Sequence, residues 1–125
     1  MVKKSCFFLI PYMVLLAVFS LVSLRFFSEI VPGQDKFLHF FIYIPLGFLL
    51  SPSMTPPYSR FASKLTIRLG LGSAYGALLE LLQTVVPART ASFYDAAANF
   101  SGVAVGLGLG FLKGWIATRL PKRYY

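Results

Sequence analysis

The sequence is poor in charged residues, and above all in acidic ones. Only 13% of its 125 residues are charged, and only four are Asp or Glu. A soluble domain usually carries about 25% charged residues because it must present a polar surface to water. This shortage, with a hydrophobic share of 57%, indicates that most of the surface faces lipid. We predict a single all-α membrane domain that covers residues 1–125.

The residues and motifs of familiar catalytic and metal sites are also scarce. Cys6 is the only cysteine, which excludes an internal disulfide and a metal site built from several cysteines. The sequence contains no nucleophile elbow, no glycine-rich phosphate loop and no HExxH pair. No motif therefore indicates a cofactor or a metal ion, and the sequence leaves open whether the protein is an enzyme.

Four apolar segments predict a bundle of four transmembrane helices. A helix needs about 20 apolar residues to cross the hydrocarbon core, and the first and third segments reach that length while the second and fourth are shorter. Lys3 and Lys4 before the first segment would also fit a secretion signal. That segment is long and no small-residue cleavage site follows it, so we expect the helix to be retained. The predicted helices span roughly residues 5–25, 35–51, 64–86 and 94–116.

The distribution of lysine and arginine predicts the orientation of the bundle. With the amino terminus in the cytoplasm, nine basic residues lie at cytoplasmic ends and three lie at outer ends, as the positive-inside rule requires. Both termini are then cytoplasmic. Nucleic-acid binding is not expected, because membrane spans separate the basic residues. The three residues at outer ends are Arg25, Lys36 and Arg89.

Glycine residues recur at four-residue spacing in the second half of the chain. This spacing places them on one helix face, where two backbones can approach closely. We expect packing within the bundle rather than self-association. The glycines with this predicted role are Gly72, Gly76, Gly102, Gly106 and Gly110, and Gly114 continues the series.

Strongly polar residues gather at the predicted outer ends of the helices. Glu80 lies roughly 10 Å inside its helix end at 1.5 Å per residue. A charge at the bilayer centre costs at least about 2.5 kcal/mol, so Glu80 should face the bundle and find partners such as Arg89, Lys36 or His39. The candidate ligand-binding residues are Asp35, Lys36, His39, Glu80, Gln83, Arg89, Asp95 and Asn99.

Three interpretations of this cluster remain open. In the first interpretation, the side chains cap helices and form an ion-pair network that only specifies packing. Alternatively, Arg89 and Lys36 bind an anionic headgroup, since arginine suits bidentate contact with phosphate. In the third interpretation, His39 with Glu80 or Asp95 acts as acid and base toward a lipid headgroup. A divalent metal ion held by His39 and the three acids of the cluster is less favoured, because no spacing matches a known metal motif.

Two segments of the chain resemble the VanZ-like family of bacterial membrane proteins. The first segment is DKFLHF at 35–40, followed by Tyr43 and by LG at 46–47. The second comprises YG at 75–76, ELLQ at 80–83, PAR at 87–89 and DAAAN at 95–99 before Gly102. The resemblance covers roughly residues 35–106, and every charged motif position is present. Ala88 stands where many members carry glycine.

The resemblance implies a multi-pass protein of the bacterial inner membrane that acts in the cell envelope. The family is named for a member associated with low-level resistance to the glycopeptide teicoplanin, and this implies no particular reaction. With the polar cluster, it leads us to expect a pocket at the outer face that engages membrane lipids, specifically an anionic amphiphile such as a polyprenyl phosphate or phospholipid. The alternatives are a membrane enzyme acting on a lipid headgroup and a structural or partner-binding subunit without a ligand.

Overall fold

The computed structural model describes residues 2–22, 34–51, 60–87 and 91–120, and the side chains of these ranges from residue 7 onward. Within them the chain forms four α-helices, and no strand occurs in these ranges. The all-helical class therefore agrees with the prediction. The helices are α1 (Val2–Leu21), α2 (Gln34–Leu50), α3 (Phe61–Gln83) and α4 (Phe93–Arg119).

The helix ends differ from the predicted limits by at most four residues. Helix α4 is the longest at 27 residues, although its apolar segment was short in the sequence, and it ends three residues beyond the predicted limit. It continues past Lys113 to Arg119, whose guanidinium lies 4.7 Å from the ring centre of Trp115. At the end of α3 the chain turns over residues 84–87, so the helix stops four residues before Pro87. Proline disfavours helical conformation in the residue before it.

The closest helix pair in the bundle is α2 and α4. A Cβ added at Gly102 would meet the backbone carbonyl of Phe40, and one added at Gly110 would meet the side chain of Ser51. Gly106 lies between them, directly against the α2 backbone. Backbones approach this closely only where side chains are absent. Because later residues of α4 meet later residues of α2, the two helices run in the same direction.

The remaining two glycines of the series lie on the face of α3 that contacts the pair α2 and α4. A Cβ added at Gly72 would lie 2.8 Å from the Val103 side chain of α4. One added at Gly76 would lie 3.1 Å from the ring of Tyr43 and 3.2 Å from Cβ of Asn99. All five glycines assigned to packing therefore lie at contacts between helices of the same chain.

Tyrosine side chains join α1 to the rest of the bundle. The Tyr12 hydroxyl donates to the carbonyl oxygen of Ile42 at 2.6 Å, and the Tyr75 hydroxyl donates to that of Met13 at 2.6 Å. A hydrogen bond of this kind contributes about 1 kcal/mol net. The small apolar core between the helices consists of Leu16, Tyr43, Leu46, Leu79, Val103 and Leu107.

The helices alternate in direction. Early residues of α2 lie beside late residues of α3, as His39 is 3.5 Å from Glu80, while the Arg68 guanidinium donates to the carbonyl of Leu50 at 2.7 Å. The two helices are therefore antiparallel. Since α1 runs with α3 and α2 with α4, the start of α1 and the end of α4 lie at the same end of the bundle.

The outside of the bundle is covered by large apolar side chains. Phe7, Phe37 and Leu81 are 73%, 68% and 66% exposed. Both α3 and α4 are long and apolar enough to cross a membrane, and only 22% and 28% of the residues in their apolar windows are buried. Apolar helices in the core of a soluble protein would be mostly buried. The exterior is therefore typical of a protein that lies in a membrane.

Candidate functional site

The buried polar side chains lie at one end of the bundle, where α1 and α3 end and α2 and α4 begin. We call this the polar end. Asp35 and Asp95 lie in the first turns of α2 and α4, where the positive ends of the helix dipoles stabilise carboxylates. The buried polar side chains of the described residues are Ser20, His39, Glu80, Gln83, Asp95 and Asn99.

A hydrogen-bonded network joins His39, Asn99 and Glu80 from three different helices. Asn99 Nδ2 donates to Glu80 Oε1 at 3.1 Å, and His39 Nδ1 lies 3.0 Å from Asn99 Oδ1. Asn99 turns its NH₂ group to Glu80 and its oxygen to His39, an arrangement that suits an ionised Glu80 because a carboxylate only accepts hydrogen bonds. His39 Nδ1 therefore carries a hydrogen and donates it, and Glu80 Oε1, at 3.5 Å, is a second acceptor near the same nitrogen.

The opposite nitrogen of the imidazole faces Asp35. His39 Nε2 lies 3.7 Å from Asp35 Oδ1, and the Asp35 side chain is 62% exposed while that of His39 is only 5% exposed. Asp95 also approaches this group, since one carboxylate oxygen each of Asp35 and Asp95 and a ring nitrogen of His39 lie within 4.8 Å of one another. The structure thus brings the first turns of α2 and α4 together around His39.

Glu80 meets one of the three basic partners expected for it. His39 contacts it, whereas the exposed Lys36 lies 5.7 Å from the ring centre of Tyr94. Arg89 lies outside the described residues. The second carboxylate oxygen, Oε2, is buried and has no hydrogen bond of good geometry to the described residues.

Gln83 lies beside the network and contacts α1 instead. Its Nε2 donates to the backbone oxygen of Ser20 at 2.9 Å and lies 3.0 Å from the Ser20 hydroxyl. Its side chain is 2% exposed. These contacts join the ends of α1 and α3 and are those of a helix-packing residue.

Sequence reasoning missed Ser20 and Tyr43 as parts of the polar end. Tyr43 is fully buried one turn after His39, and its hydroxyl has no hydrogen bond within the described ranges. The four-residue spacing of His39, Tyr43 and Gly47 places all three on one face of α2 and could have indicated Tyr43. No pattern distinguishes Ser20 from other small polar residues of an apolar helix.

Three acids and one imidazole favour a cation or a proton over an anion. An anion at this end would need the positive charge of Lys36 or Arg89, or a cation between itself and the carboxylates. No protein-family model, curated protein or solved structure matches this chain. Functional interpretation therefore rests on the sequence motifs and on the geometry of the polar end.

Proposed function

We propose that this chain is a VanZ-like protein of the bacterial cell envelope whose polar end binds the headgroup of an anionic lipid or lipid-linked envelope precursor. The observation that carries the proposal is the gathering of all buried polar side chains of the described ranges at one end of a bundle with an apolar exterior. Polar side chains inside a membrane are expensive and usually mark a functional site. The motifs that resemble the VanZ-like family include five of these six residues, all but Ser20.

The proposed arrangement has four helices crossing the inner membrane, with both termini in the cytoplasm and the polar end outside. The alternating helix directions and the bias of nine basic residues to three support it. Single cysteines at Ser92 and Ser53, in a Cys6→Ser background, test it. A membrane-impermeant thiol reagent applied to intact cells should label position 92 and leave position 53 unlabelled. The reverse pattern would place the polar end in the cytoplasm and contradict the proposal.

Positive charge at the polar end provides the contacts to the anion. Lys36 is exposed at the start of α2, and its ammonium group lies beside the ring of Tyr94 from the start of α4. Arg89 belongs to the segment that connects the end of α3 to the start of α4, and both of these helix ends lie at the polar end. Arginine binds phosphate in bidentate geometry, and the helix N-termini of α2 and α4 add a favourable potential for an anion.

Native mass spectrometry of the purified protein in detergent tests the lipid site. The wild type should retain a discrete anionic lipid, and Arg89→Ala should lose it. The matched control is Arg119→Ala, which removes the same charge at the opposite end of the bundle and should retain the lipid. Identical adducts on all three folded proteins, or none on any of them, would contradict the proposal.

A membrane enzyme acting on a lipid headgroup is the second candidate, because His39 is buried between the carboxylates of Asp35 and Glu80. An imidazole in contact with carboxylates can transfer protons to and from a substrate. Purified wild type should then convert a component of a lipid extract, and Glu80→Gln should not. Lipid retention without conversion would favour binding alone. Activity that survives Glu80→Gln but is lost on bulky changes at Gly102 would instead indicate a structural subunit.

A further inference from the structure

We infer that Asp35, His39 and Asp95 form a binding site for a divalent transition-metal ion such as Zn²⁺ at the polar end. The three residues come from the first turns of α2 and α4, so the ion would join the two parallel helices. Neither the sequence motifs nor the proposed function assigns this site. Two independent observations support it: the protonation pattern imposed on His39, and the spacing of the donor atoms.

The hydrogen-bond network leaves His39 Nε2 with a lone pair. Nδ1 donates its hydrogen toward Asn99 Oδ1, because Asn99 must turn its NH₂ group to Glu80. In the neutral imidazole Nε2 is then an acceptor, and it faces another acceptor, Asp35 Oδ1, at 3.7 Å. The His39 side chain is 5% exposed, while that of Asp35 is 62% exposed. Two facing acceptors are stabilised by a cation between or beside them, which is either a proton on Nε2 or a metal ion.

The donor spacing is close to that of a coordinated ion. Zinc lies about 2.0–2.2 Å from nitrogen and oxygen ligands, which places two ligands of a tetrahedral site about 3.3–3.6 Å apart. His39 Nε2 and Asp35 Oδ1 are already 3.7 Å apart, and all three donor atoms lie within 4.8 Å. The limit of 4.8 Å exceeds the tetrahedral spacing by about 1 Å, and the exposed Asp35 side chain can change rotamer.

The surroundings of His39 are those of a metal ligand. Metal-binding histidines usually donate their other ring N–H to an oxygen acceptor, which orients the ring. Asn99 Oδ1 supplies that acceptor, and Glu80 in turn holds the Asn99 amide. Glu80 therefore positions the ligand from the Nδ1 side of the ring and does not belong to the group of three donors. One imidazole with two carboxylates suits zinc or manganese better than magnesium or calcium.

The metal site would also explain how an acidic cluster can receive a phosphate. A bound divalent cation leaves open coordination positions that a phosphate oxygen can occupy. This bridging role rests on the proposed function, whereas the metal site itself does not. The two can fail separately, and the experiment below distinguishes them.

Zinc binding to the purified full-length chain tests the site directly. The protein, in a Cys6→Ser background that removes the only thiol, is stripped with a chelator and titrated with Zn²⁺ against a competing indicator. We expect one ion per chain. Asp35→Asn, an isosteric change at an exposed position, should weaken binding by about 100-fold or more without altering the helical circular dichroism. His39→Gln should abolish the site in the same assay.

Lys36→Gln is the matched control, because it alters the neighbouring exposed residue and makes the polar end more negative. Nonspecific attraction would raise the number of Zn²⁺ ions bound to this variant, while a coordinated site would still take one ion per chain, at least as tightly as in the wild type. Absence of stoichiometric binding to folded wild type would overturn the inference. Equal binding by wild type and Asp35→Asn would overturn it as well.

Native mass spectrometry with and without chelator separates the metal site from lipid binding. If chelation removes both zinc and lipid, the ion bridges the headgroup and both proposals are supported. If zinc is lost and lipid remains, the metal site is supported and its bridging role is wrong. If zinc binds but no lipid is ever retained, the metal site stands and the proposed function fails.

Discussion

Replacing Gly106 by alanine tests the close approach of α2 and α4. A Cβ at this position would overlap the carbonyl oxygen of Ile44 and would lie 2.7 Å from the backbone nitrogen of Phe48 and 2.9 Å from Cα of Gly47. All three are backbone atoms of a helix, so none can rotate away as a side-chain end could. The two helices must therefore move apart, or the variant must distort one of them.

The size of the effect follows from these distances. An ordinary carbon contact begins near 3.4 Å, so relieving the overlap requires a separation of the order of 1 Å along the shared face. Overpacking a well-packed core costs about 1–3 kcal/mol. Because only backbone opposes the new methyl group, we expect a loss near the upper limit, about 3 kcal/mol. That loss lowers the folding equilibrium constant by roughly two orders of magnitude.

Gly108→Ala is the matched control. It makes the same chemical change two residues later in α4, where an added Cβ would meet nothing within 4 Å. Alanine is a better helix former than glycine by about 0.5–1 kcal/mol, so this variant should be as stable as the wild type or slightly more stable. Reversible unfolding of both variants in mixed micelles by added dodecyl sulphate, followed by circular dichroism, measures the difference. If the two midpoints agree, the α2–α4 approach described above is wrong.

Substitutions that remove individual hydrogen bonds should change the free energy of unfolding in the same assay. Asn99→Ala leaves two buried polar partners unsatisfied and should destabilise the bundle by about 2–4 kcal/mol, whereas Ser101→Ala, at an exposed position two residues later, should change stability by less than about 0.5 kcal/mol. Equal effects would refute the network. Arg68→Ala removes the charged side chain of α3 that donates to the Leu50 carbonyl at the end of α2, and it should lower the free energy of unfolding by about 1 kcal/mol. Arg68→Lys should recover part of this loss. Tyr75→Phe should cost about 1 kcal/mol by releasing α1, and an unchanged midpoint would contradict the bond to Met13.

The family motifs and the orientation relative to the membrane stay predictions that rest on the sequence. The resemblance is carried by the charged positions 35, 36, 80, 89 and 95 with their neighbours, and no match to known proteins tests it. The labelling experiment at positions 92 and 53 addresses the orientation, since neither helix direction nor helix packing distinguishes the two sides of a membrane.

Local features of the sequence were sufficient to predict the all-helical class and to predict several pairs of residues that share one helix face. Apolar runs separated by proline and polar residues predict four helices because a segment in lipid must satisfy its backbone hydrogen bonds internally, as a helix does. Because residues four apart share a helix face, the spacing alone placed Asp35 beside His39, and the structure has them 3.7 Å apart. The ends of the helices were less predictable: α3 begins and ends three residues earlier than predicted, and α4 ends three residues later.

The contacts between helices were decided only by the tertiary structure. His39 and Asn99 are 60 residues apart and Gln83 and Ser20 are 63 apart, so no spacing in the sequence relates them. Which polar side chains meet depends on the direction, rotation and separation of the helices, and between α2 and α4 the separation is set by the close glycine contacts. The sequence therefore indicated which residue types would lie at the polar end. Only the tertiary structure showed how these side chains pair and which nitrogen of His39 faces Asp35.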